Sequence, residues 1–134
     1  MTLVEVVVAL AITGVTVGGI VNGYIYCTAA SVKDSLYMAA NARAMERIEE
    51  TRSAQWDTSV YPAFDELVAT NFPDKVVALD TSGADTETNS ATLKTDITQI
   101  SDVPPLKRIR VDCIWLFKGE PVTNSIETCR SPDQ

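Results

Sequence analysis

From the N-terminus to Tyr26 the side chains carry one charge, that of Glu5. Wound as a helix, the apolar run from Leu3 to Tyr26 spans about 35 Å at ~1.5 Å per residue, against roughly 30 Å of bilayer hydrocarbon. The segment is therefore long enough to cross a membrane. A carboxylate at the bilayer centre costs on the order of 2.5–3.5 kcal/mol, less toward the interface, so Glu5 needs either water or a cation. Snorkelling to the interface supplies the first. For the second, no Lys or Arg precedes Lys33. The nearest cation is the α-amino group of Met1, its own or that of a neighbouring copy.

The run is unlike a secretory signal peptide: it has no basic n-region, exceeds an h-region in length and continues into further helical sequence. Its glycines, Gly14, Gly18, Gly19 and Gly23, each cost a helix roughly 0.5–1 kcal/mol relative to alanine. Two readings of them stand side by side. The four-residue spacings Gly14/Gly18 and Gly19/Gly23 permit close approach of helices in a membrane; the same residues allow local unwinding on packing into a filament. No Pro, and no Gly after Gly23, interrupts the pattern until after Trp56, which predicts one helix of about 50 residues. On a helical wheel Val32, Leu36, Ala39 and Ala40 fall on one side, and Ala30, Tyr37, Met38, Ala44, Met45 and Ile48 on roughly the opposite side. Two apolar faces ask for two partners, the chain's own head and a neighbouring helix.

The opening MTLVEVVVALAITGV resembles the mature N-terminus of type IV pilins and of the pseudopilins of type II secretion. The shared features are a hydrophobic residue at position 1, Thr2, Leu3, an aliphatic residue at 4, Glu5 and then an apolar helix. The resemblance implies that Met1 is exposed by a prepilin peptidase and N-methylated, and that Glu5 pairs with the Met1 amine of an adjacent subunit during assembly. The chain departs from the family at position 1, Met where Phe is usual, and at position 22, Asn where many pilins carry a helix-bending Pro.

Beyond the helix, residues 53–75 read as a connector with apolar anchors Trp56, Tyr61, Phe64, Leu67 and Phe72, broken by Pro62 and Pro73. A short helix fits around Ala63 to Thr70. The period then changes to two. Val76–Asp80, Ala91–Ile100, Lys107–Phe117 and Val122–Arg130 are strand candidates, the third placing Ile109, Val111, Cys113, Trp115 and Phe117 on one face. Lys118-Gly119-Glu120-Pro121 reads as the turn of a closing hairpin. This segment also resembles the last hairpin of pilin-like heads. The fold class is thus α+β: a long N-terminal helix with an antiparallel sheet of about four strands on its C-terminal half. Residues 1–26 form the membrane or filament-core half of the helix, and 27–134 the head.

Cys113 and Cys129 resemble the C-terminal disulfide of many major pilins, in an oxidising extracytoplasmic setting. Cys129 shares its alternation with Thr123, Ser125 and Glu127, so an inward Cys129 needs a bulge. Cys27, the third cysteine, reads as a small hydrophobe at the end of the apolar run, with lipidation or an intersubunit bridge as alternatives. In the polar stretch TSGADTETNS, Asp85 and Glu87 together with Asp80 offer oxygen ligands to Ca²⁺. Their spacing matches no EF-hand, and a solvated acidic loop is the favoured reading.

A net charge of −7 argues against a passive nucleic-acid-binding surface. Histidine is absent, and no nucleophile motif, phosphate loop or zinc spacing is present. The sequence reads as a non-enzymatic structural subunit of a type IV pilus-like filament. Its expected partners are copies of itself, the cytoplasmic membrane before assembly and the pilus or secretion machinery, with the finished filament at the cell surface. The alternatives are a pseudopilin or minor pilin of a secretion or DNA-uptake machine and a single-pass anchored binding domain.

Overall fold

A computed structural model describes residues 2–59, 61–80 and 89–133 of the chain. The elements are a helix α1 (Leu3–Ser53), strands β1 (Trp56–Asp57) and β2 (Phe64–Asp65), a 3₁₀ turn (Ala69–Asn71), and strands β3 (Lys75–Ala78), β4 (Ser90–Asp102), β5 (Pro105–Phe117) and β6 (Glu120–Arg130). The chain divides into two compact units, one ending at Ser35 and one beginning at Leu36.

Thr2 caps the start of helix α1. The Glu5 backbone N–H donates to Thr2 O at 3.0 Å and faces Thr2 Oγ1 at 3.4 Å, which meets one of the amide donors a helix start leaves open. Thr2 and Glu5 have the spacing of a capping box.

In the second unit, α1 packs on a four-stranded antiparallel sheet of order β3-β4-β5-β6, a simple meander. The helix buries Leu36, Ala40, Ala44, Arg47, Ile48 and Thr51. This corrects the two-faced wheel, which set Ala44 and Ile48 opposite Leu36 and Ala40. At ~100° per residue, four-residue steps advance a helix by only about 40°, so positions 36, 40, 44 and 48 stay on one stripe. Ala40 and Ala44 are fully buried, and their small side chains let the sheet come close. Met38 and Met45, by contrast, are exposed.

Alternation decides which sheet residues meet the helix. Ala91 and Leu93 of β4 and Ile109, Val111, Cys113 and Trp115 of β5 form the core with the helix stripe, joined by Trp56, Leu67, Phe72 and Leu79. The registers Leu93↔Cys113 and Thr95↔Val111 align those inner faces across the ladder. Lys118 and Gly119, at φ 52° and 84°, make a two-residue turn between Phe117 and Glu120. Both central residues of a type I′ hairpin need positive φ, and glycine takes it without steric cost. In the β4–β5 pair a register shift between Gln99 and Ser101 leaves Ile100 unpaired and exposed.

The helix expected around Ala63 to Thr70 does not form. Its residues supply β2, which pairs with β1 through Trp56↔Asp65 and Asp57↔Phe64, and the start of the 3₁₀ turn. Tertiary contacts override local propensity here: Lys107 bonds to Asp65 and to Leu67 O, and Leu67 is fully buried.

Candidate functional site

The two units present different surfaces. In the first, every described residue up to Thr28 is exposed, including Leu3, Leu10, Val15 and Ile20. An 18-residue window of α1 reaches a mean hydropathy of 2.2 with none of it buried. Soluble monomers seldom leave so large a contiguous apolar surface uncovered. By length and composition this part of α1 is able to cross a membrane.

Four of its hydroxyls bond back onto their own helix: Thr13 Oγ1 to Ala9 O at 2.8 Å, Thr16 Oγ1 to Ile12 O at 3.0 Å, Thr28 Oγ1 to Tyr24 O at 2.9 Å and Ser35 Oγ to Val32 O at 2.9 Å. Such closure suits a helix in an environment without water. The Asn22 amide and the Glu5 carboxylate make no side-chain hydrogen bond or ion pair among the described residues. Met1, the expected partner of Glu5, lies outside them.

The glycines add a second observation. A Cβ placed on Gly14, Gly18, Gly19 or Gly23 would meet nothing within 4 Å. All four sit inside continuous helix, and no contact among the described residues accounts for them. By propensity alanine would favour the helix at each position.

In the second unit several charges are paired. Arg47, nearly buried, sends Nη1 to Glu50 Oε2 at 2.5 Å, Nη2 to Pro73 O at 2.7 Å and Nε to Thr95 Oγ1 at 3.1 Å, and its guanidinium lies over the Phe72 ring. The Arg47 bond, with Lys75 beyond it at 3.2 Å, holds the Glu50 carboxyl below its ordinary value against the opposing effect of burial. Buried Lys107 bonds to Asp65 and to Leu67 O and sits over the Trp56 ring. Arg130 ties the end of β6 to α1, with Nη1 donating to Thr51 O at 2.8 Å and Nη2 to Asp133 Oδ1 at 2.7 Å. Asp133 Oδ2 accepts the Trp56 N–H at 2.9 Å; that bond and Arg130 lower its pKa. On the outer face of the sheet, Arg110 lies 2.9 Å from Asp112 and 3.6 Å from Glu127. Burial alone would raise Asp112, but the Ser125 hydroxyl and Arg110 outweigh it and hold the carboxyl below its usual value.

Sequence reasoning missed these inward cations, although one signal was available. Lys107 shares alternation with Ile109 to Trp115, and Arg47 lies on the stripe of Ala40, Ala44 and Ile48. The partners, Asp65, Leu67 O and Pro73 O, come from the irregular connector and had no such signal.

The expected Cys113–Cys129 bridge is overturned. All three thiols are free, Cys113 buried and Cys27 and Cys129 exposed. Cys113 pairs across the ladder with Asn124, while Cys129 pairs with Arg108. These positions lie on opposite faces of the sheet and about 17 Å apart along it, at ~3.4 Å per residue; a disulfide needs Cα atoms within about 7 Å. No bulge interrupts the β5–β6 register to turn Cys129 inward. Burial pushes the Cys113 thiol up to about 11.

Among the described residues no group of three His, Cys, Asp or Glu side chains is placed to hold a metal ion. Two of the three acidic residues weighed for Ca²⁺, Asp85 and Glu87, lie outside the described residues. Comparison with protein-family models, curated proteins and solved structures finds no match.

Proposed function

We propose that the chain is a structural subunit of a type IV pilus-like filament. It is held in the cytoplasmic membrane by the apolar part of α1, with the head outside, and polymerises through that same segment into a filament at the cell surface. The observation that carries the reading is the exposed apolar stretch of α1 up to Thr28, on a helix that from Leu36 onward buries one stripe against a sheet.

The physical argument concerns what drives helices together in lipid. Lipid tails are as apolar as Val or Leu, so the hydrophobic effect does not pull two such helices together; close backbone packing and polar contacts do. Glycines with open space at Cβ provide the first. Asn22 and Glu5 provide the second, each with hydrogen-bonding capacity that its own helix leaves unused. Met1, with a free and methylated amine, supplies the cation for the Glu5 of an adjacent copy. Glu5 is then more than a helix cap, because capping is already served by Thr2 and its side chain is left over.

Glu5→Gln tests the reading. It removes the charge and its insertion cost while leaving a near-isosteric side chain, so the subunit inserts and folds as before. Filament yield in sheared cell-surface material falls at least tenfold relative to membrane-bound subunit. Undiminished filament with the substitution in place overturns the role of Glu5. Absence of any filament in the parent strain overturns the polymer reading itself and leaves an anchored head.

A further inference from the structure

We draw no further inference here: the strongest candidate, the exposed apolar tip of the β4–β5 hairpin at Ile100 and Val103, is a surface patch for which nothing in the structure shows what covers it.

Discussion

Helix α1 treats similar residues in opposite ways along its length. Up to Thr28 its Val, Leu and Ile side chains are uncovered; from Leu36 onward, a stripe of six residues that includes an arginine and a threonine is buried. Hydrophobicity alone therefore does not decide burial in this helix. The second unit is buried because a sheet with a complementary inner face lies against it, and Ala40 and Ala44 let that sheet approach. Arg47 enters the same stripe because Glu50, Pro73 O and Thr95 meet its donors, as a buried charge requires. The first unit has the more apolar composition, and up to Thr28 its described residues are exposed.

The largest effect that sharpens this contrast is a pair of truncations. Ile48→Ala should lower head stability by about 2–5 kcal/mol, the usual range for opening a cavity in a packed core, whereas Ile12→Ala, at an exposed position, should leave it within about 0.5 kcal/mol. Denaturant unfolding of the full chain in detergent, followed by the fluorescence of buried Trp56 and Trp115, measures both. Equal losses would break the division into a packed and an unpacked half.

Next in size is the arginine pair. Arg47→Met removes the donors to Pro73 O and Thr95 and leaves Glu50 with Lys75 alone, and should cost about 1–3 kcal/mol by the same assay. Arg43→Met removes a pair whose side chains are 40% and 54% exposed and should cost no more than about 0.5 kcal/mol. A neutral Arg47→Met would mean that its bonds do not form in solution.

Titration gives an intermediate effect of defined sign. Glu50, Asp112 and Asp133 have lowered folded pKa values. Their contribution is present above the ordinary values of 4.5 and 3.8 and is lost as pH falls through the lower folded ones. Cys113 acts at the other end. Its thiol, raised from 9.0 to about 11, costs stability as pH climbs through that interval, because the unfolded chain ionises first. A thermal-unfolding series should show a plateau near neutrality with a fall on each side; Cys113→Ala should remove the alkaline fall alone, and its persistence would sink the assignment.

The cysteines also test the β5–β6 register. At pH 8, alkylation of the native chain should label exposed Cys27 and Cys129 at least tenfold faster than Cys113. A Cys113–Cys129 peptide in a non-reducing map would show that the ladder is shifted. The smallest effect belongs to the first unit: Gly18→Ala should leave head unfolding unchanged and raise helix stability by no more than about 1 kcal/mol. Any drop in filament yield with this variant then reports on contact between copies and not on the subunit.

Much of the fold could be read from local pattern. The apolar run with its lone Glu5, the absence of Pro from residue 3 to 53 and the alternation from Lys107 to Phe117 are each properties of neighbouring residues. So the long helix, the four strands and the closing turn at Lys118-Gly119 were legible. Three features were not. That positions 36, 40, 44 and 48 share a stripe follows from the helical period, but its burial depended on which arc of the helix the sheet meets, and the loss of the helix around Ala63 to Thr70 depended on Lys107 bonding Asp65 and on the burial of Leu67. Cysteine pairing depended on cross-strand register, which sets Cys113 against Asn124 and Cys129 against Arg108. Each is a relation between residues far apart in the chain, decided by packing and hydrogen-bond satisfaction when the sheet closes on α1. The sequence by itself determined the elements and the apolar segment with its lone Glu5; tertiary structure decided which faces are covered and which thiols can meet.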